Sequence, residues 1–416
     1  MEANEVEMAA EKSNAGPNQL TDEHYPYRQL EHENSIRLLL INPGSGEEVT
    51  YTLEHSEQAK TPYKALSYEW RLPSDDDPKI TIDGHTVRIR KNLHEALKQI
   101  KSTIGHLSSL RLWVDALCIN QNDNTEKSQQ VQKMGSIFSG AEQVIAWIGP
   151  AANDSDYAID ILNTQGAEFR LKYRDMWINR SAESLLTTRV LMMAEELKND
   201  PLGQSAIVSL CDRPYWKRVW IIQELFLAKE FIVMCGSRSI TEHQLNLCLD
   251  AILSGGFLSD SRRVEVRQLS RHEFFHSLRQ SAAQQQIRAK RGQVLAMNRT
   301  LRHWLYICAR CKFRASDPRD YIYALLSVSS EIANGSVSII PDYNKPVKTL
   351  FEETNIAMRN KKTLDRIGRK YVWAHNFVNQ NINVWLNNEL GLEVDVGWQD
   401  EFPFDGHVVF KGSSIP

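Results

Sequence analysis

No apolar run in the 416 residues approaches the ~18 needed to cross a bilayer as a helix, so no membrane span is expected. Neither sign of charge is in excess: 49 Lys and Arg stand against 52 Asp and Glu, a net charge of −3. A surface built throughout for nucleic acid or an anionic membrane would need a basic surplus, and neither partner is expected. Cysteine is scarce and scattered, at Cys118, Cys211, Cys235, Cys248, Cys308 and Cys311. Without a disulfide framework in a chain this long, these read as reduced thiols. The polar stretch from Met1 to Asp22 has no basic region followed by an apolar one, so it is not a secretory signal and the expected location is cytoplasmic. Internal repeats, Gly-x-Gly-x-x-Gly strings and Walker A strings do not occur. What is left is a globular chain large enough to bury a full core, in two or three units or one domain with insertions.

Residues 1–24 carry few large apolar groups and contain Gly16, Pro17 and Asn18, which predicts a disordered tail. Order is expected from Tyr25. Ser35 to Ile41 reads as a strand stopped by Asn42-Pro43-Gly44, with Val49 to Leu53 as its hairpin partner. Ala65 to Tyr68 reads as a buried strand end. Lys79 to Ile82 and His85 to Ile89 flank Asp83-Gly84, a type I′ hairpin signal. Asn92 with Glu95 resembles a capping box, and Leu93, Ala96, Leu97 and Ile100 share one helical face. Leu110 to Asp115 is a central strand ending in a carboxylate. Asp123 and Glu126 open a helix whose core face holds Val131, Met134 and Phe138, and Gln143 to Ile148 is a strand closed by Gly149-Pro150.

Strands alternating with helices imply an α/β fold with a largely parallel sheet. Asp115 and the residues after Tyr68 then lie near strand C-terminal ends, where open α/β sheets bind ligands. The α/β core is expected over about 27–150 plus 205–236, with a largely helical part over about 155–204 and 240–358. Within these stretches one helix is expected from Arg213 through Leu225 and a strand over Phe231 to Met234. Long amphipathic helices are expected across Arg262 to Arg314, with further helices over Asp320 to Val328 and Thr349 to Met358. Residues 359–416 have no clear pattern.

Several strings carry a family resemblance. Tyr63-Lys64-Ala65-Leu66-Ser67-Tyr68-Glu69-Trp70 resembles the opening motif of the fungal heterokaryon-incompatibility (HET) domain. Leu112-Trp113-Val114-Asp115-Ala116-Leu117-Cys118-Ile119-Asn120-Gln121 is similar to its second block, and Glu126 through Gly149 to its third. Arg213-Pro214-Tyr215-Trp216 through Glu224, Asp317-Pro318-Arg319-Asp320-Tyr321 and Pro341-Asp342-Tyr343 are similar to later features. Three ordered blocks are far more specific than one short motif. Arg71 departs from the pattern, which usually has Gly after the Trp. The resemblance implies a HET domain over 25–358 and a role in fungal non-self recognition that ends in growth arrest or programmed cell death.

The resemblance also reaches, more distantly, to TIR domains, and so implies a TIR-like, flavodoxin-like mainly parallel sheet. Some TIR domains cleave NAD+ between nicotinamide and ribose with a Glu in a Trp-Cys-x-x-Glu string. Trp220-Ile221-Ile222-Gln223-Glu224 keeps the Trp and Glu, with Ile221 in place of Cys. TIR-like sites are often completed by a neighbouring protomer, so self-association is implied, alongside unknown protein partners in incompatibility signalling.

Each candidate residue has two readings. Glu224 is the candidate catalytic carboxylate, able to steady an oxocarbenium-like ribosyl cation beside an aromatic wall such as Trp220. Alternatively it pairs with Arg218 or Arg213 and fixes a helix. Asp115, Asn120 and Gln121 either orient a ligand or hydrogen-bond the loop backbone. Ser67, Tyr68, Glu69 and Trp70 either contact a ligand, the aromatics stacking on a base, or fill core. NAD+ is the expected substrate, with no cofactor and no metal. His272-Glu273-Phe274-Phe275-His276 matches the zinc-protease string but lacks a third ligand at usual spacing. The lone Cys308-Ala309-Arg310-Cys311 pair has no second pair to complete a zinc site. The basic stretch Arg262 to Arg314 reads as a solvated helix face. The alternative to an enzyme is a non-enzymatic signalling and assembly module.

Overall fold

A computed structural model describes residues 25–358, except 33, 43–49, 59, 105–108, 177–195, 198, 254–273, 275–276, 279–280, 282, 285–299, 334 and 336–337. The expected N-terminal tail, the segment 359–416, both histidines of the zinc-protease string and most of the Arg262 to Arg314 stretch lie outside the described residues.

The strands are β1 (Ser35–Ile41), β2 (Thr50–Glu57), β3 (Lys64–Tyr68), β4 (Lys79–Ile82), β5 (His85–Arg88), β6 (Leu110–Trp113), β7 (Gln143–Trp147), β8 (Phe231–Cys235) and β9 (Arg238–Thr241). Among the described residues they form one sheet in the order β5-β4-β2-β1-β6-β3-β7-β8-β9. Its centre, β6-β3-β7-β8, is parallel throughout. β1 joins β6 and β2 antiparallel, and β9 closes the far edge antiparallel to β8. In chain order the parallel strands run second, first, third, fourth. The strand order therefore reverses between β3 and β7, the kind of position where doubly wound sheets open a crevice.

Burial follows this layout. β3 and β7 are buried on both faces over nearly their whole length, as expected of central parallel strands. Trp113, Trp147, Trp216 and Trp304 are fully buried in the continuous core. The hairpin β4–β5 turns through Asp83 (φ 49) and Gly84 (φ 79), the two positive φ values of a type I′ turn. The Asp83 carboxylate accepts from the Tyr25 hydroxyl at 2.5 Å and from the Leu53 N–H at 3.1 Å, which pins Tyr25 and β2 to this turn. Among the described residues no helix is long and apolar enough to cross a membrane.

Helix α1 (Lys91–Ile104) buries Leu93, Ala96, Leu97 and Ile100 together. The capping box expected at Asn92 and Glu95 does not form. Asp77 supplies the acceptor instead, taking the Lys91 N–H at 3.0 Å and facing Arg90 at 3.0 Å. Asn92 turns inward, donating to the Glu69 carbonyl at 2.8 Å and accepting the Trp147 indole N–H at 3.0 Å. After β6 comes a one-turn helix α2 (Asp115–Cys118), then α3 (Asn124–Gly140), whose N-cap Asp123 accepts from Thr125 and Glu126 as expected. α4 (Ser155–Met176) packs on the helices Pro201–Cys211 and Glu242–Leu253.

The single helix expected from Arg213 to Leu225 is broken in two. A 3₁₀ turn covers Pro214–Lys217, Arg218 is extended (φ −71, ψ 131), and a short helix follows at Ile221–Phe226. The break is held from outside: Arg218 bridges Arg314, and the Val219 N–H donates to the Arg314 carbonyl at 3.0 Å. The helix expected over Asp320 to Val328 is confined to Asp320–Tyr323, with turns after it. The final described helix is Val347–Met358.

Candidate functional site

The site gathers at the C-terminal edge of the parallel strands. Ser67 and Tyr68 end β3, Asp115 follows β6, and Glu224 enters from the helix Ile221–Phe226. Ser67 Oγ donates a short hydrogen bond to Glu224 Oε2 and shares another, at 2.6 Å, with the Tyr215 hydroxyl. Arg218 meets the same carboxylate in a fork, Nη1 to Oε2 at 3.3 Å and Nη2 to Oε1 at 3.4 Å. Glu224 is buried at 1% exposure, while the Arg218 side chain keeps 14%. Burial works to lower the Arg218 pKa, but Glu224 and Asp115 outweigh it, so its charge is held more firmly than usual.

Asp115 faces this pair. Its carboxylate accepts the Trp70 indole N–H at 3.0 Å and its own neighbour's N–H, that of Ala116, at 2.8 Å. Burial, and then the negative charge of Glu224, push its carboxyl up to about 7. Tyr68 lies within the field of Asp115, Arg218 and Glu224, and burial holds its phenol well above the ordinary range. Its hydroxyl makes no hydrogen bond to any described residue, so it is the polar atom of the cluster left over.

Of the sequence candidates, the fold therefore brings together Ser67, Tyr68, Asp115 and Glu224, with Trp70 attached through Asp115. It does not bring in the rest. Asn120 shapes its own loop, its amide N–H donating to Glu126 at 2.8 Å and its side chain accepting from Asn122. Gln121 donates to the backbone carbonyl of Asp115 at 3.0 Å. The Glu69 side chain pairs with Arg71 at 3.4 Å. The Trp220 indole N–H goes to Asp320. Of the two arginines considered as partners of Glu224, Arg218 takes that place. Arg213 donates to the carbonyls of Ile148, Pro150 and Ala152 at 3.1, 2.8 and 3.0 Å. Tyr215 is a member that sequence reasoning missed. Its only signal is its place in the string between Arg213 and Glu224.

A downstream segment braces the strand-like break and helix that carry Arg218 and Glu224. Arg314 pairs with the backbone at 217–219. Asp320 takes the Trp220 indole N–H and the Tyr343 hydroxyl, the latter at 2.7 Å, and burial pushes its carboxyl up to about 6. Ser327 donates a short hydrogen bond to Gln223, the neighbour of Glu224. Arg319 forks onto Asp317 at 2.9 Å and ties down the Tyr343 carbonyl. The Asp317-Pro318-Arg319-Asp320 and Pro341-Asp342-Tyr343 strings thus form one clamp. A separate buried pair, Arg37 with Glu126 at 2.5 Å, fastens β1 to α3.

Among the described residues no group of three or more His, Cys, Asp and Glu side chains is placed to hold a metal ion. All six cysteines are free and buried.

Residues 63–224 match the family described as "Heterokaryon incompatibility protein (HET)". The "Heterokaryon incompatibility protein 6, OR allele" of Neurospora crassa is 31% identical over 241 residues, covering 52% of this chain and 35% of that protein. The chain spans about a third of the length of this curated relative. No solved structure matches the chain.

Proposed function

We propose that this chain, whose residues 63–224 match the heterokaryon-incompatibility family, serves fungal non-self recognition as an effector of growth arrest or cell death, and that it works by cleaving NAD+ at the Glu224 site. The observation that supports this is the convergence of two carboxylates, Glu224 buried and Asp115 partly buried, around Arg218 at the C-terminal edge of a parallel sheet. In the reaction the bond between ribose C1′ and the nicotinamide nitrogen breaks, and its electron pair leaves with nicotinamide. Water then adds to C1′, giving ADP-ribose and a proton. Glu224 carries the negative charge that steadies the ribosyl cation. Its Oε1 holds only the 3.4 Å contact from Arg218, so a lone pair remains for a ribose hydroxyl. Asp115, with a carboxyl near 7, is suited to take the proton from the attacking water.

One observation favours a second reading. The fork from Arg218 and the bond from Ser67 already engage Glu224, as they would in a closed structural pair. On that reading the domain is a non-enzymatic module that signals by assembling with partners. Nicotinamide release from NAD+ by purified protein, over a range of protein concentration, separates the two. Release that rises more than linearly with concentration and is lost in folded Glu224→Gln supports an assembly-dependent hydrolase. No release from the folded protein at high concentration favours the module. Equal release from both proteins removes Glu224 from the chemistry.

A further inference from the structure

We propose that Arg71 and Arg213 form an anion-binding pair on the same edge, fitted to the diphosphate of a dinucleotide. This deepens the NAD+ reading and rests on it for the identity of the ligand, but the anion site itself stands on its own geometry. Arg71 lies three residues beyond the end of β3, and Gly149 two beyond the end of β7. These are the strands between which the parallel order reverses. Loops that leave adjacent strands at such a reversal diverge and leave a crevice between them.

Both guanidinium groups reach into that place. A methyl group built on Gly149 would stand 3.3 Å from Arg213 Nη1 and 3.9 Å from Arg71 Nη2, so the two cations face one point across a residue without a side chain. Gly149 has φ +110, a conformation that L side chains rarely adopt, so the close approach is built into the backbone.

The charges there are poorly compensated. Arg213 is fixed by the carbonyls of Ile148, Pro150 and Ala152, and among the described residues no carboxylate pairs with it. Carbonyl dipoles orient a guanidinium but do not cancel its charge. Arg71 meets one carboxylate, Glu69, through Nε at 3.4 Å, with the two side chains 49% and 24% exposed. An exposed contact of that length is weak. Both Nη nitrogens of Arg71 donate to no described residue, so the planar fork remains open to an oxyanion. Two guanidinium groups against one loosely held carboxylate leave a local positive charge, although the chain as a whole is slightly acidic. A diphosphate carries two negative charges; its forked oxygens fit the open Arg71 guanidinium, while Arg213, whose Nη atoms already hold backbone carbonyls, contributes its charge. Tyr215 links the Arg213 segment to Ser67 at 2.6 Å, so the pair adjoins the Glu224 cluster, as a dinucleotide with its ribose at Glu224 requires.

Calorimetric titration of the full chain with inorganic pyrophosphate tests the site without calling on any cleavage. Arg71→Gln removes a half-exposed side chain, so folding is expected to survive. The expected result is binding by the wild type that weakens about tenfold or more in Arg71→Gln, less in Arg71→Lys, and not at all in Arg238→Gln. Arg238 pairs with Asp160 on the edge strand β9 and controls for diffuse charge. No binding by the wild type, equal binding by Arg71→Gln, or an equal loss in Arg238→Gln would overturn the proposal. Arg71-dependent binding without nicotinamide release would keep the anion site and remove the NAD+ cleavage reading.

Discussion

Glu224 and Arg218 are not helical neighbours. They meet because the chain is extended at Arg218 before the next helix starts. Two charges withdrawn from water regain most of that cost only while both are present. Removing one alone is the severe change. Arg218→Ala is expected to lower unfolding stability by about 3–5 kcal/mol, whereas the double variant Arg218→Met, Glu224→Leu should cost far less. Urea unfolding of the two side by side checks this, and equal losses would contradict it. Asp115 gives a pH prediction. Its folded-state carboxyl titrates at about 7, raised by burial and by Glu224, while an aspartate in an unfolded chain titrates near 4. Between those values the folded state holds a proton that the unfolded state has lost. The stability this contributes is full below about pH 4 and is lost as pH rises through about 7. Asp115→Asn removes that slope. Its melting temperature relative to wild type should therefore rise between pH 5 and pH 8, and a flat difference would refute the assignment.

Elements bring distant parts of the chain to bear on the site. A Cβ at Gly135 on α3 would stand 2.5 Å from Ser327 Cβ, and Ser327 in turn holds Gln223 beside Glu224. Gly135→Ala must push Ser327 away, at an expected cost of about 1–3 kcal/mol. Amide exchange should quicken in the helix Ile221–Phe226, and an unchanged rate there would show that the brace does not act through Ser327. The local signals that a reader of the sequence can use were strong where neighbours alone decide. Asp83-Gly84 specifies its turn, and Asp123 caps α3. Asn92 misleads because its preference for helix starts is local, while Asp77, brought close by the preceding hairpin, caps α1 and frees Asn92 for Trp147. The break at Arg218 is illegible for the same reason: its partner, Arg314, lies far along the chain. Ser67, Tyr68, Asp115 and Glu224 could be listed from motifs, but their meeting depends on β3 lying between β6 and β7. Tyr215 had no cue beyond its place in the string between Arg213 and Glu224. Trp220 has its indole partner in Asp320, a residue of the downstream clamp that lies far along the chain.

For the whole molecule, the matched segment 63–224 carries Ser67, Asp115, Arg218 and Glu224, and Arg314, Asp320, Ser327 and Tyr343 from further along the chain brace the stretch that holds Arg218 and Glu224. The central claim is that this assembled site consumes NAD+ and that the loss of NAD+ is what stops growth. The most direct test is to induce the chain in fungal cells and follow intracellular NAD+ and viability together, for wild type and for Glu224→Gln expressed to the same level. The account predicts that NAD+ falls before viability with the wild type, and that neither falls with the variant. Death with NAD+ unchanged, or equal death from both proteins, would contradict it.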